Sequence, residues 1–316
     1  MPAPHHLPAT PDTVAWGYLD AARPAVLHVQ SGDEVVIDTL SGEPENLPAD
    51  PARVLPDHRA VLEAQRKERG EGVHHLTGPI HVDGARPGDC LQIDILAATP
   101  RQDWGFCEIL PLKGILPAEF TDYQQILIDI DRVRNQATLP WGQSIALDPF
   151  FGIMAVAPPP EWGRLASPVP WAFGGNIDNR ALVPGTTLYL PVFNDGALFS
   201  VGDGHGRQGD GEVCIDALET ALQGRFRLTV RRDIPESAPF AETPSHWISM
   251  GLHPSLDQAA EQAVRQMVQL LTARTGLDRS QAYMMASMLG DLRITQVVDG
   301  NKGVHMLYPK DATQAP

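Results

Sequence analysis

The most constraining feature of the sequence is its density of proline and glycine, which interrupt the chain between short runs of β-branched and aromatic residues. The 316 residues include 29 Pro and 28 Gly. Proline disrupts a helix interior and glycine favours tight turns, so this punctuation is typical of many short strands joined by turns. We therefore expect the first two-thirds of the chain to be mostly β.

Two segments show this pattern most clearly. The alternation of apolar and polar residues predicts strands over Gly78 to Val82 and over Cys90 to Leu96. A second unit is predicted from Thr187 to Phe193 and from Ala197 to Val201, with Asn194-Asp195-Gly196 between them. Because Asp-Gly between two apolar runs is a strong hairpin signal, we expect these later strands to form a β-hairpin.

The C-terminal region has a different pattern. Ser255 and Asp278 each precede a glutamine by three residues, and each begins a segment with apolar positions at helical spacing. The first helix should end near Thr275, with Gly276 as its stop. Strand character returns from Leu292 to Val298. The chain should therefore finish as an α+β part.

A domain boundary is expected in the proline-rich stretch from Pro235 to Pro254. This divides the chain into a β-rich core over residues 1–240, which carries the candidate site, and a C-terminal α+β part over residues 241–316.

Charge and composition exclude several function classes. Lys and Arg number 24 against 39 Asp and Glu, which gives a net charge of −15 and disfavours a nucleic-acid partner. No apolar run approaches the roughly 18 residues of a membrane-spanning helix, and the opening lacks a secretion signal. The three cysteines form no C-x-x-C pair, which favours reduced thiols. We therefore expect a soluble cytoplasmic protein with no membrane partner.

Acidic, amide and imidazole side chains are concentrated in two glycine-rich segments of the middle third. In extended chain Asn176 and Asp178 share one face, as do Asp203 and His205. Histidine with carboxylates suits Zn²⁺, whereas carboxylates with amide or carbonyl oxygens alone suit Ca²⁺. The residues therefore favour zinc and leave calcium or manganese open. The two segments are Gly174 to Arg180 and Val201 to Val213.

A non-catalytic interpretation competes with this one. Gly-Asp-Gly is common in turns, where the aspartate side chain accepts from the backbone and glycine supplies a positive φ. The same segments could then belong to a Ca²⁺-stabilised β-sandwich module that binds a carbohydrate or a protein. That interpretation gives His205 no role.

The order and spacing of several motifs resemble the acetamidase/formamidase family. The resemblance implies a metal-dependent hydrolase of small carboxamides, built as a β-sandwich core with an appended C-terminal α+β part. It also implies a homo-oligomer, a dimer or larger. The motifs that carry it are Gly174-Gly-Asn-Ile-Asp178, Leu188 to Phe193 followed by Gly196 to His205, Gln208 to Val213, Thr77 to Ile80 with Gly84 to Asp89, and Gly290 to Asp299.

The family's acidic and histidine positions fall on residues of the two glycine-rich segments. We assign Asp178, Asp203 and His205 as metal ligands and Glu212 as the general base that takes a proton from metal-activated water and delivers it to the amide nitrogen. If Glu212 is itself a ligand, Asp210 becomes the candidate base.

Three further residues are assigned to the small-molecule amide substrate. Asn176 would orient it, and Gln208 lies within the same motif. Adjacent histidines on a strand face opposite ways, so at most one of His74 and His75 should reach the cleft, and we assign His75.

The expected substrate resembles formamide or acetamide. Trp171 and Phe173 lie just upstream of the glycine motif, which extends the expectation to aromatic amides.

Overall fold

Short strands dominate the chain, as the proline and glycine pattern predicts. The structure is a computed structural model that describes residues 3–234 and 238–313. Residues 235–237, at the start of the predicted boundary stretch, lie outside the described residues.

The strands and helices are numbered here in chain order. The strands are β1 (His5–Leu7), β2 (Val14–Trp16), β3 (Tyr18–Leu19), β4 (Leu27–Val29), β5 (Glu34–Asp38), β6 (His75–Val82), β7 (Cys90–Pro100), β8 (Trp104–Ile109), β9 (Gln124–Asp131), β10 (Gln136–Thr138), β11 (Ser144–Ala146), β12 (Phe150–Ala155), β13 (Leu165–Ala166), β14 (Gly174–Asn176), β15 (Thr187–Pro191), β16 (Phe199–Arg207), β17 (Leu218–Glu219), β18 (Leu222–Arg231), β19 (Phe240–Glu242), β20 (His246–His253), β21 (Asp291–Gln296) and β22 (Lys302–Pro309). The helices are α1 (Pro56–Ala64), α2 (Leu256–Thr275) and α3 (Arg279–Leu289).

Two large sheets share one apolar core. A nine-stranded sheet has the order β1-β5-β18-β7-β15-β19-β20-β22-β21. An eleven-stranded sheet runs β11-β10-β9-β8-β17-β16-β12-β14, with β6 joining β16 to β2 and β4. Ile93 and Phe226 of the first sheet and Ile153 and Phe199 of the second belong to the same buried cluster. This arrangement confirms a mainly β fold with a sandwich core.

The predicted hairpin after Thr187 is wrong. β15 pairs with β7 and β19 in the nine-stranded sheet, whereas β16 pairs with β12, β6 and β17 in the other. Between the two strands, the Asn194 amide donates to the carbonyls of Ala157 and Pro158, and Ala197 and Leu198 adopt φ of 58°. The connection therefore carries the chain across the core instead of folding it back.

The C-terminal part has the predicted helices and strands. α2 ends at Thr275, and Gly276 caps it in the left-handed conformation with φ of 73°. Asp278 and Gln281 form a reciprocal capping box at the start of α3, but the Ser255 side chain makes no capping hydrogen bond. β19 to β22 extend the nine-stranded sheet. The division at residue 240 falls within β19 and stays a prediction. Among the described helices, none has the length and apolar character that a membrane span requires.

Candidate active site

A cavity of about 290 Å³ lies where the ends of several strands and loops converge. β14 and the residues after it supply Asn176 and Asp178, and β16 supplies Asp203 and His205. The loop after β16 supplies Glu212. The remaining wall mixes apolar and polar side chains. Its apolar members include Leu40, Phe106, Leu110, Val169, Ile215 and Val298, and its polar members include Glu43, Asn46, Glu108, Lys113 and Asp216. The chamber therefore combines apolar surface with many polar groups.

Local backbone geometry aims the acidic side chains into this cavity. Asp178, Asp203 and Glu212 have φ of 50°, 57° and 45°, a left-handed conformation that non-glycine residues rarely adopt. Such positions cost about 1–3 kcal/mol each and are concentrated at functional sites. The β12 to β16 register pairs Phe151 with Gly204 and Ile153 with Gly202, so the ladder is interrupted opposite Gly152.

Gly152 leaves the room that two of these carboxylates occupy. A Cβ at this position would lie 2.2 Å from both Asp178 Oδ1 and Asp203 Oδ2, closer than any real Cβ contact. The carbonyl of Gly152 also accepts from the backbone N–H of Ile177 and of Asp178. Glycine here fixes the approach of the β14 segment to β16.

His205 lies at the centre of the polar cluster. Its Nε2 lies 3.1 Å from Glu219 Oε1, 3.4 Å from Asp203 Oδ2, 3.8 Å from Asp178 Oδ1 and 4.0 Å from Glu212 Oε1. Asp178, His205 and Glu212 form one group with ligand atoms within 4.8 Å of one another, and Asp203, His205 and Glu219 form a second. The two groups share His205, and the predicted ligands Asp178 and Asp203 each approach its Nε2 from a different group.

Several oxygen atoms of the buried acids lack hydrogen-bond partners. Among the described residues, several buried oxygens of the cluster have no hydrogen-bond partner: both carboxylate oxygens of Asp178, Oε2 of Glu212, Oδ2 of Asp299 and Oδ1 of Asn176. Burying an unpartnered carboxylate costs several kcal/mol, so such a cluster needs a counter-charge. Carboxylates around one imidazole are the donor set of a divalent transition-metal site. The residues present therefore fit a bound metal ion.

The electrostatics of the cluster show how closely its acids affect one another. Burial, reinforced by neighbouring carboxylates, raises the pKa of Asp178 and of Glu212 well above their usual values. Burial raises the pKa of Asp299 to about 7. For Asp203 burial is outweighed by the His205 and His74 imidazoles, which hold its pKa below the usual range. Without a cation, these acids cannot all be ionised together.

Gln208 positions His205 from outside the cavity. Its Oε1 lies 2.9 Å from His205 Nδ1, and its Nε2 donates to the Asp178 carbonyl at 2.8 Å. Since Oε1 can only accept, Nδ1 donates to it and Nε2 faces the acids. Burial lowers the pKa of His205, but the carboxylates of Glu219 and Asp203 outweigh it and raise that pKa well above its usual value. Gln208 does not line the cavity, so the structure supports a positioning role instead of the predicted contact with substrate.

The two adjacent histidines depart from the sequence expectation. His74 and His75 both line the cavity, so the prediction that at most one reaches it is wrong. His74 precedes β6, where strand alternation does not yet apply, and its Nε2 lies 3.9 Å from Asp203 Oδ1. His75 stacks on Trp16 at 4.8 Å, and neither of its ring nitrogens has a hydrogen-bond partner.

The structure places three other residues of the sequence-based assignment outside the cavity. Asp210 is 28% exposed, lies 3.9 Å from Arg180 and does not line the chamber, because the loop turns it outward two residues before Glu212. Trp171 and Phe173 line a neighbouring apolar groove with Trp162. Val169 lines both spaces, so the groove adjoins the cavity.

Sequence reasoning missed Asp299 and Glu219. Asp299 follows β21 in an Asp-Gly pair that has the pattern of an ordinary turn. Glu219 is the register partner of His205 across the β16 to β17 ladder, which no sequence pattern shows. An acid beside glycine at a strand end, inside a motif of the resemblance, was the one available signal for Asp299.

Comparisons with known proteins show the family of this chain. The model of the acetamidase/formamidase family matches residues 22–164 and 163–312. A formamidase of Methylophilus methylotrophus is 31% identical over 204 residues, 47% of this chain and 49% of that protein, so the match spans about half the relative's length.

Solved structures match over nearly the whole chain. An acetamidase from Bacillus halodurans has a TM-score of 0.84 at 28% identity, covering 97% of this chain and 98% of that one. An acetamidase from Yersinia enterocolitica has a TM-score of 0.86 at 26% identity, covering 99% and 94%.

Proposed function

Because the chain belongs to the acetamidase/formamidase family, we propose that it is a metal-dependent amidohydrolase that converts a small carboxamide to a carboxylate and ammonia. The observation that carries this proposal is that four buried acids lie 3.1 to 4.0 Å from His205 Nε2, beside a cavity with both apolar and polar walls. The alternative, a Ca²⁺-stabilised binding module, is not favoured, because it gives His205 no role.

We assign the metal to Asp178, Asp203 and His205. Glu212 groups with Asp178 and His205, and Glu219 groups with Asp203 and His205, so both are further oxygen donors. The imidazole favours Zn²⁺ over Ca²⁺ or Mn²⁺. When bound, such an ion acts as a Lewis acid on the amide carbonyl and makes water a stronger nucleophile at neutral pH.

The chain itself must move the protons of hydrolysis. Water oxygen bonds to the carbonyl carbon, the C–N bond breaks, and the nitrogen leaves as ammonia after gaining a proton. Glu212 takes the proton from water and delivers it to nitrogen, a role worth about 10²–10⁴-fold in rate. If Glu212 is a ligand, Asp299 replaces the outward Asp210 as the candidate base, since it lines the cavity with a pKa of about 7.

The rest of the chamber selects the substrate. Asn176 has a buried, unpartnered amide oxygen that can accept from the substrate NH₂. The apolar walls and a volume of about 290 Å³ leave room for more than a one- or two-carbon acyl group. We therefore include propionamide and aromatic amides such as benzamide beside formamide and acetamide.

Ammonia release from formamide, acetamide, propionamide and benzamide, with and without a chelator, tests the proposal. We expect release that the chelator abolishes and added Zn²⁺ restores. Glu212→Gln should keep its metal and lose nearly all turnover if Glu212 is the base. No release from any amide would refute the proposed activity. A cytoplasmic location and a homo-oligomeric assembly stay predictions.

A further inference from the structure

A second group of metal-binding side chains lies away from the cavity, on the outward face of β4 and β6. These two strands pair in parallel, with His28 directly opposite His81. Asp83 follows His81 by two residues, on the same face of the chain. The alternate residues Val29 and Val82 are buried in the core beneath. The outward side chains therefore stand on a rigid support.

The donor atoms of this group are already close together. The two imidazole rings have centroids 4.6 Å apart. His81 Nε2 lies 3.5 Å and His28 Nδ1 lies 4.0 Å from the same oxygen, Asp83 Oδ1. One ligand atom from each residue falls within 4.8 Å of the others. Zinc ligands lie about 2.0–2.2 Å from the ion, so small side-chain rotations close the remaining gaps.

A fourth residue orients the carboxylate. Gln30 follows His28 by two residues, and its Nε2 donates to Asp83 Oδ2 at 2.5 Å. This contact holds Oδ1 toward the two rings, as an outer hydrogen bond does at metal sites. The side chains of His28, His81 and Asp83 are 64%, 28% and 42% exposed, so solvent has access to the remaining coordination positions.

We propose that His28, His81 and Asp83 form a second metal site that binds a divalent transition ion such as Zn²⁺. Two imidazoles with one carboxylate select Zn²⁺, Ni²⁺ or Cu²⁺ over Ca²⁺ and Mg²⁺. The bound ion cross-links β4 to β6, and among the described strands β4 has no other partner. The site is independent of the amide-hydrolysing centre, since none of its three residues lines the cavity.

Calorimetric titration of Zn²⁺ into protein already loaded at its central site tests this proposal. The wild type should bind one further equivalent, and His28→Ala and His81→Ala should each weaken that step at least about tenfold. His253→Ala, which removes a surface imidazole elsewhere, should leave it unchanged. Ammonia release should be the same in all four proteins.

Two outcomes would overturn the proposal. One is the absence of any further equivalent in the wild type. The other is equal binding by wild type and His28→Ala. Electron paramagnetic resonance of Cu²⁺ bound at this site gives a second readout. The spectrum should show hyperfine coupling to two imidazole nitrogens in the wild type and to one in His28→Ala.

Discussion

Gly152→Ala should disable the central cluster while leaving the fold largely intact. The new methyl carbon would lie 2.2 Å from an oxygen of Asp178 and from one of Asp203. Gly152 lies within β12 and its φ is not positive, so alanine meets no backbone strain there. The effect is therefore confined to the space that the two carboxylates occupy.

The magnitude follows from these contacts. Ordinary van der Waals contact begins at 3.4 Å, so each carboxylate oxygen must retreat by about 1.2 Å. Metal–ligand distances tolerate only about 0.2 Å. Removing a side chain that is hydrogen-bonded to a metal ligand already lowers metal affinity about 10–100-fold. Displacing two of the ligands themselves should therefore lower metal affinity at least about 100-fold. Overpacking should lower the free energy of unfolding by about 1–3 kcal/mol.

The assay compares metal affinity, amide turnover and urea unfolding in wild type and two variants. Gly209→Ala is the matched control, because it lies in the nearby loop after β16 and a Cβ there meets nothing within 4 Å. We expect Gly209→Ala to behave like wild type. If Gly152→Ala folds, holds metal with wild-type affinity and turns over amide within about twofold of wild type, the proposed ligand geometry is refuted.

Three further predictions follow from single contacts. Gln208→Ala should weaken metal binding about 10–100-fold in a chelator competition assay, because the His205 Nδ1–H loses its acceptor. Gln208→Glu keeps an acceptor there and should have most of the wild-type metal affinity. A Gln208→Glu protein as weak as Gln208→Ala would contradict the positioning role. Burial lowers the pKa of His305 to about 4, so the unfolded chain takes up this proton first and stability falls as pH drops from 6.5 to 4. In metal-free protein, the free energy of unfolding measured with urea should fall with decreasing pH less steeply for His305→Gln than for wild type, by up to about 1.4 kcal/mol per pH unit. Equal slopes for the two proteins would contradict this. Val169→Ala should raise the KM for benzamide about three- to tenfold and leave the KM for formamide nearly unchanged, since the Val169 side chain lines the cavity wall. Equal effects on the two KM values would show that Val169 does not contact the acyl group.

Local patterns in the sequence predict local structure well. Gly276 ends α2 and the Asp278 capping box begins α3, as expected from neighbouring residues, whereas the same pattern at Ser255 gives no capping hydrogen bond. The Asp-Gly signal at Gly196 predicts a turn, but it does not encode which sheet the next strand joins. That choice depends on contacts with Ala157 and Pro158, almost forty residues away.

The same distinction holds for the candidate site. Asp178, Asp203 and His205 all line the cavity, where the glycine spacing and the family resemblance led us to expect them, and their role as metal ligands stays a prediction. Glu219 could not be predicted, since β-sheet register alone places it opposite His205, and Asp299 had only a weak signal as an acid beside glycine within a motif of the resemblance. Sequence spacing also misjudged Asp210, because the loop places it outward.

Metal content in wild type and His205→Ala tests the central claim most directly. Element-resolved analysis of freshly purified protein should find a stoichiometric divalent metal in the wild type and little in His205→Ala, with ammonia release lost in parallel. A His205→Ala protein that folds and retains the wild-type metal content would show that these acids and this imidazole do not share a cation.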